Sequence, residues 1–257
     1  MKVKIYTCLF FSVFLFLTDA LSAQKQFKVL LFTRTMGWHH ESIKDGVEAF
    51  EKMADRHFFD MEWQENAEWF TDEKLKTYDV IVFLNTTGDI LNDNQQAAMQ
   101  RFIQSGKGFV GIHSASDTEY NWEWYTRLVG RMFVSHPAIQ TARLHPLNRK
   151  FMGMANFQSP HWFTDEWYIL SPEKQSGLTY LLEIDESSYF PGNPTKDYPQ
   201  GGMNGKHPIS WFHKYDGGRS FYTAMGHLPG VYQDPVFLDH LFGGLYWAAT
   251  GKGYNQE

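Results

Sequence analysis

The chain of 257 residues carries 29 acidic and 23 basic side chains and a single cysteine, Cys8. Its acidic excess argues against nucleic acid and an anionic membrane surface as main partners, because both repel negative charge. Cys8 lies near the N-terminus, in a segment that we expect to be removed. The rest of the chain then has no thiol, which excludes disulfides, thiolate catalysis and thiolate metal ligands. Any metal ion would have to be held by histidine and carboxylate side chains.

Residues 1–23 have the organisation of a cleaved secretory signal. Two lysines are followed by an apolar stretch at 5–17, and Leu21-Ser22-Ala23 offers a small-residue cleavage site. The apolar stretch is shorter than the roughly 20 residues that a membrane span needs. We therefore expect a secreted or periplasmic protein with one domain at residues 24–257 and no membrane contact after signal cleavage.

The first half of the remaining chain alternates predicted strands and helices. Strands are predicted at 27–33, 58–63, 78–84 and 108–112, and helices from Ser42 through Met53 and from Asn92 or Asp93 to Gly106. This alternation is typical of βαβ units and of a parallel sheet with helices on both faces. An α/β fold with a mainly parallel central sheet is therefore predicted.

The second half is less regular, and we expect it to elaborate the fold. The pattern predicts a helix at 121–129, extended segments at 133–144 and 165–168, a strand at 178–184, a long loop at 189–207, and a hairpin formed by 209–213 and 219–224. A last helix is predicted from Asp234 or Pro235 to near Gly251.

His113 directly follows the predicted strand at 108–112, and small residues come after it. In α/β-hydrolase folds a tight turn at such a strand end lifts a reactive side chain above the sheet. Here Gly111-Ile112-His113-Ser114-Ala115 places a histidine at the nucleophile's position, which suits proton transfer or metal ligation. Ser114 has no recognisable base or oxyanion-hole motif, so we expect it to form hydrogen bonds to substrate.

Three loops at the carboxyl ends of predicted parallel strands should converge, because such sheets place their sites there. They hold His39 and His40, Asn85 to Thr87, and His113 to Asp117. Asp165 and Glu166 are adjacent, so in an extended segment they face opposite ways and only one enters the site. Glu166 is the one we favour.

Two chemistries are open for these residues. Imidazoles can shuttle protons at neutral pH without a metal, or histidines and a carboxylate can hold a divalent ion that polarises a substrate oxygen. No HExxH pattern is present, so the metal-free chemistry is favoured. The first strand has no glycine-rich fingerprint after it, so no nicotinamide cofactor is expected. A zinc-like divalent ion is the one candidate cofactor, with His40, His113 and His227 as candidate ligands.

Long motifs resemble the ThuA-like (trehalose-utilisation) family. They are GWHHESI at 37–43, GIHSASDTEYNWEWYTRLVGRMFVSHP at 111–137, DEWY at 165–168, PISWFHKYDGGRSFYTAMGHLPGVYQDP at 208–235 and FLDHLFGGLYWAATG at 237–251. The resemblance implies a flavodoxin-like three-layer fold similar to class I glutamine amidotransferases. Their elbow cysteine is replaced by His113, so amidotransferase activity should be absent. The resemblance also implies signature positions at His40, His113, Asp117, His136, Glu166 and His227.

The same resemblance implies a role in sugar metabolism, where glycosides are oxidised at the third ring carbon. We therefore expect an enzyme acting on keto-sugars or 3-keto-glycosides as a lyase, hydrolase or isomerase. His113 would be the central acid/base with His136 or His227 as its partner, while Glu166 and Asp117 orient these rings. The predicted substrate-binding residues are His40, Trp38, Asn85, Ser114, Trp122 and His213.

Two alternatives remain open at this point. One is a non-catalytic carbohydrate-binding or accessory protein, and the other is a hydrolase that depends on a metal held by histidine and carboxylate. In each case the expected partner is a small-molecule carbohydrate, and a homo-oligomer is compatible with the sequence.

Overall fold

The computed structural model describes residues 24–254, and the predicted signal segment lies outside the described residues. Among the described residues, no helix has the length and apolar character needed to cross a bilayer. The described strands are β1 (Lys28–Phe32), β2 (Asp60–Gln64), β3 (Val80–Leu84), β4 (Gly108–Ile112), β5 (Phe133–Ser135), β6 (Gln140–Pro146), β7 (His161–Asp165), β8 (Ile169–Leu170), β9 (Thr179–Ile184), β10 (His207–Tyr215) and β11 (Gly218–Thr223). The described α-helices are α1 (Ile43–His57), α2 (Asp72–Leu75), α3 (Asp93–Gln104), α4 (Glu123–Val129) and α5 (Pro235–Thr250).

The main sheet has nine strands in the order β2-β1-β3-β4-β11-β10-β9-β6-β7. The first five strands in this order, β2-β1-β3-β4-β11, pair in parallel. The remaining four, β10, β9, β6 and β7, extend the sheet with antiparallel pairings. Strands β5 and β8 form a separate two-stranded sheet. The predicted α/β fold is confirmed, and the elaborated C-terminal half supplies the antiparallel side of the same sheet, the last parallel strand β11 and the separate two-stranded sheet.

The parallel strands form where the sequence predicts them because their apolar runs are long enough to be buried on both faces. All five residues of β3 and all five of β4 are buried. Gly108 at the start of β4 lies against helix α5, since a Cβ built on it would be 2.2 Å from the carbonyl oxygen of Ala248. The close approach of α5 to this strand therefore requires a glycine.

The predicted N-terminal cap is present in α3 but not in α1. Asn92 and Gln95 form a reciprocal capping box at the start of α3. Ser42 precedes α1 but makes no side-chain cap; its hydroxyl instead donates to the carbonyl oxygen of Gly226, 3.1 Å away. The predicted cap is thus replaced by a contact to a loop 184 residues further along the chain.

The predicted extended segment at 133–144 is two strands, β5 and β6, in two different sheets. Pro137 lies between them and has no N–H to donate to a ladder, which is a physical reason for the break. Strand β7 was not predicted, because Phe163 and Asp165 are its only buried residues and the pattern is not that of an apolar strand.

Candidate functional site

A pocket of about 430 Å³ opens at the side of the sheet where several strand-end loops meet. It is lined by Trp38, His40, Asp117, Phe133, His136, Glu166, Tyr168 and His227. The loop after β1 supplies Trp38 and His40, and the segment after β11 supplies His227. Of the three loops expected to converge at the carboxyl ends of the parallel strands, two line the pocket through His40 and Asp117, whereas no residue from Asn85 to Thr87 does.

His113 lies at the end of β4 in a left-handed backbone conformation, with φ at 50°. For a residue other than glycine this conformation is uncommon and is typical of tight functional turns. Its Nδ1 lies 2.8 Å from the carbonyl oxygen of Ala224, which can only accept, so Nδ1 carries the proton. Its Nε2 lies 3.1 Å from Nδ1 of His227.

The His113 ring is fully buried and does not line the pocket. This differs from the expectation that His113 is the central acid/base, because a ring beneath the pocket floor cannot reach a substrate atom directly. Tyr168 packs against it in a tilted arrangement, with ring centroids 4.1 Å apart and an interplanar angle of 30°. The structure therefore gives His113 contacts to the residues that line the pocket.

Glu166 contacts three histidines and lies at the centre of the polar cluster that they form. Its Oε2 lies 3.1 Å from Nδ1 of His227 and 3.5 Å from Nε2 of His113, and its Oε1 lies 3.0 Å from Nδ1 of His136. Burial alone would raise the pKa of Glu166, but hydrogen bonds from His113 and His227 outweigh it and hold this pKa well below its usual range. Burial lowers the pKa of His227, yet its hydrogen bond to Glu166 outweighs this and raises the pKa.

Asp165 faces away from the pocket and holds the turn that carries His227. Its carboxylate accepts backbone N–H groups of Gly226 at 2.7 Å and of His227 and Leu228 at 3.2 Å each. The side chain is fully buried. Adjacent carboxylates thus have different tasks, since Glu166 enters the pocket and Asp165 binds the backbone behind it.

His40 lies at the edge of this cluster, with its ring centroid 4.9 Å from that of His113 and 5.2 Å from that of His227. Burial, followed by the charges of His113 and His227, lowers the pKa of His40 to about 3. The Ser114 hydroxyl lies 3.4 Å from Nδ1 of His40 and is itself buried. Ser114 therefore contacts a pocket residue but does not line the pocket.

Asp117 brings a second carboxyl to the pocket wall. It accepts a hydrogen bond from the hydroxyl of Tyr120 at 2.8 Å. Burial raises the pKa of Asp117, against the opposing effects of this hydrogen bond and of His113. The pocket therefore holds one carboxyl with a lowered pKa, Glu166, and one with a raised pKa, which is a pattern typical of acid/base sites.

Besides Ser114, three other predicted substrate-binding residues lie outside the pocket lining. Asn85 is buried and donates to the Ser42 hydroxyl at 2.9 Å and to the Gly226 carbonyl at 3.2 Å, so it supports the turn before His227. Trp122 stacks on Trp124, with centroids 4.9 Å apart. His213 lies on β10 and contacts the carbonyl oxygen of Arg127, because its register places it opposite Ser220 in β11 rather than at the strand end.

Tyr168 and Phe133 line the pocket although the sequence did not single them out. A signal for Tyr168 was available, because residues two apart in an extended segment share a face and Glu166 lies two positions earlier. The sequence has no comparable signal for Phe133. Its ring centroid lies 4.4 Å from that of Tyr168, a contact that the tertiary fold creates.

Four of the clustered side chains could hold a metal ion. Among the described residues, His40, His113, Glu166 and His227 each place a donor atom such that these atoms all lie within 4.8 Å of one another. His136 is not part of this set, and it remains half-exposed in the pocket. The pocket therefore has possible metal ligands at its base and a group that can transfer protons, His136, on its wall.

Comparison with solved structures shows where this architecture recurs. A ThuA-like protein from Bacteroides uniformis shares 22% identity with a TM-score of 0.69, over 88% of this chain and 93% of that chain. One from Parabacteroides merdae shares 18% identity with a TM-score of 0.68, over 91% of this chain and 93% of that chain. A β-galactosidase from Bacillus circulans sp. alkalophilus shares 15% identity with a TM-score of 0.53, over 88% of this chain but 31% of that chain. At these identities the likeness shows the fold alone.

No curated protein matches the chain significantly. The sequence model of the ThuA family, described as trehalose utilisation, matches residues 28–248. This range includes every residue that lines the pocket. The match and the shared fold identify this protein as a member of the ThuA (trehalose-utilisation) family.

Proposed function

We propose that this protein is a secreted or periplasmic enzyme of carbohydrate metabolism that acts on a keto-sugar or 3-keto-glycoside. The observation that carries the proposal is the pocket itself, where an imidazole–carboxylate pair and a second carboxyl face a space with aromatic walls. Its volume of about 430 Å³ suits a small ligand. The family's link to trehalose utilisation supports a sugar as that ligand.

His136 is the group best placed to remove a proton from the sugar. Its Nδ1 lies 3.0 Å from Oε1 of Glu166 and 2.9 Å from the carbonyl oxygen of Pro137, so this nitrogen donates and Nε2 keeps its lone pair. The side chain is 44% exposed and lines the pocket. A carboxylate that orients an imidazole in this way is the arrangement found for histidine bases.

The keto group supplies the chemical reason for a base of this kind. A ketone acidifies the adjacent C–H, and the base removes that proton. The electron pair of the broken C–H bond forms a C=C bond as the C–O bond to the departing oxygen breaks. The departing oxygen takes a proton, and Asp117, whose pKa burial raises, is the acid that we assign to this step. Addition of water to this C=C bond would complete a hydrolysis. If the C–O bond does not break, the same proton removal gives an enediolate, and return of the proton to the former carbonyl carbon gives an isomerisation.

Trp38 is the residue that we assign to sugar binding. Its side chain is 72% exposed although it lines the pocket, so its indole face is free to pack on the C–H face of a sugar ring. Phe133 and Tyr168 add apolar surface to the same lining. His113 acts in this proposal through His227 and Glu166 and not on the substrate.

The test is turnover of 3-keto-glucosides, followed by loss of the keto-sugar absorbance, with products identified by mass. We expect turnover by the wild type and a loss of about 10²-fold or more in kcat/KM for His136→Gln. His145→Gln is the matched control, because His145 is 40% exposed and does not line the pocket. Equal activity of His136→Gln and wild type would overturn the role of His136. Sugar binding without conversion of any keto-sugar would favour the non-catalytic alternative.

A further inference from the structure

Three donor atoms at the base of the pocket form a nearly equilateral triangle. Nε2 of His113 and Nδ1 of His227 are 3.1 Å apart, Nδ1 of His227 and Oε2 of Glu166 are 3.1 Å apart, and the third side is 3.5 Å. Ligand atoms about 2.1 Å from a tetrahedral zinc ion are about 3.4 Å from one another. The triangle therefore has the dimensions of one face of a coordination tetrahedron.

His40 is positioned to supply the fourth corner. Its donor atom and the other three all lie within 4.8 Å of one another. The four residues come from separate segments, namely the loop after β1, the end of β4, the segment after β7 and the segment after β11. An arrangement held by four elements is set by the fold and does not depend on one flexible loop.

The outer contacts of these residues match those of metal ligands. A metal-bound histidine usually donates its other ring N–H to a carbonyl or a carboxylate, and Nδ1 of His113 does so to Ala224 at 2.8 Å. The Glu166 carboxylate is oriented through Oε1 by His136 at 3.0 Å, which leaves Oε2 at the triangle. Asp165 fixes the backbone of His227. The ligand atoms are therefore held in place by the surrounding protein.

The donor set indicates the class of ion. Three imidazoles and one carboxylate suit first-row transition metals, whereas calcium and magnesium take oxygen ligands. His227, His40 and Glu166 also line the pocket, so one side of the cluster is open to a small molecule. Catalytic metal sites keep such an open side, at which the ion polarises a bound oxygen.

We propose that His40, His113, His227 and Glu166 form a binding site for one divalent transition-metal ion of the zinc class. The ion would lie beneath the proton-transfer groups of the pocket and polarise the keto oxygen of the sugar. The proposal deepens the proposed function and uses the same site, but binding of the ion does not require turnover. It therefore has its own test.

The experiment uses the chain from residue 24 without an affinity tag, stripped with chelator, incubated with Zn²⁺ and dialysed. We expect one zinc per chain by elemental analysis and a rise in Tm on adding Zn²⁺ to the stripped protein. His227→Gln and Glu166→Gln should bind Zn²⁺ at least tenfold more weakly. His39→Gln is the matched control, because His39 is adjacent to His40 in sequence but exposed, and it should bind as the wild type does.

Retention of less than about 0.1 zinc per chain with no Tm rise in the wild type would overturn the metal proposal, and so would equal affinity in the wild type and His227→Gln. If a variant fails to fold by circular dichroism, the wild-type stoichiometry alone decides. If keto-sugar turnover persists in chelator, the ion has no part in the reaction, and the proposed function still holds. Stoichiometric zinc without turnover would keep the site and refute the proposed function.

Discussion

The two sides of the central sheet contribute to the pocket in different ways. The parallel side presents His40, His113 and His227 from segments that follow its strands, as the general rule for such sheets predicts. The antiparallel side contributes Asp165 and Glu166 at the end of β7. In sheet order β7 is four strands from β11, which would separate them by about 19 Å in a flat sheet. Asp165 nevertheless contacts Gly226 just after β11 at 2.7 Å, so the end of β7 and the segment after β11 meet although their strands are far apart in the sheet order.

This difference teaches that the imidazoles are placed by topology and the carboxylates by a tertiary contact. The three histidines follow strands of the parallel side, whose carboxyl ends lie at one edge of the sheet. Glu166 comes from the far edge of the antiparallel side, and Asp165 is the contact that joins this edge to the turn after β11. The following changes test how far the two sides depend on one another.

The largest effect is expected for Asp165→Ala, which cuts the contact between the sides. It leaves the buried N–H groups of Gly226, His227 and Leu228 without their acceptor, and each such group costs about 1–3 kcal/mol. We expect the free energy of unfolding to fall by about 3 kcal/mol or more in urea titrations. Glu166→Gln is the comparison, since it should change activity far more than stability. Similar unfolding of the two variants would show that Asp165 does not join the two sides.

A smaller loss of stability is expected for Gly108→Ala, which affects the parallel side alone. The new methyl group would lie 2.2 Å from the carbonyl oxygen of Ala248, so α5 must shift away from β4. Overpacking of this kind costs about 1–3 kcal/mol. Gly230→Ala is the control, because nothing lies within 4 Å of its added Cβ. Unfolding curves of the two variants should differ clearly, and coincident curves would mean that α5 does not pack here as described.

Trp38→Ala should weaken substrate binding without changing stability. Its indole is 72% exposed, so its removal opens no core cavity, while the loss of ring stacking should raise KM by about 5- to 10-fold. Trp162→Ala is the matched variant on the antiparallel side, 59% exposed and outside the pocket lining. We expect its KM to be unchanged. An equal effect of both variants in steady-state kinetics would argue against Trp38 as the sugar-binding residue.

The smallest expected effect is a pH dependence of the free energy of unfolding, caused by Glu186 on the antiparallel side. Burial would raise the pKa of Glu186, but hydrogen bonds from His207 and from the backbone N–H groups of Met203 and Gly205 outweigh it and lower this pKa. A lowered folded-state pKa gives stability that is present above about pH 4.3 and is lost as the pH falls through the folded value.

Glu186→Gln, which resembles the protonated side chain, should therefore cost about 1 kcal/mol at neutral pH, and this cost should shrink as the pH falls through the folded-state pKa. Urea unfolding at neutral pH and at a series of lower pH values measures the difference. A difference between wild type and variant that stays constant across the series would contradict this assignment. Ser105→Ala on the parallel side removes a hydrogen bond between two uncharged groups, the Ser105 hydroxyl and the Phe102 carbonyl, and serves as a control for general acid effects.

Much of the parallel side follows from the sequence. The apolar runs at β1, β3 and β4 and the helices between them determine parallel pairing, and parallel pairing brings the loops after these strands to one edge. The grouping of His40 with His113 could be predicted for that reason. The alternation of side chains in an extended segment also predicted that Asp165 and Glu166 face opposite ways, because this depends only on local backbone geometry.

Only the tertiary structure decided which residues meet the pocket. His113 lies beneath it and not within it, because its ring is held by Ala224 and His227, both from the segment after β11. Asn85 and His213 were placed by register and by contacts to distant backbone, which no local pattern encodes. The contact that joins the end of β7 to the turn after β11 links residues about 60 positions apart in the chain. Sequence periodicity reports on neighbours along the chain, whereas the site is built from segments that are far apart in it.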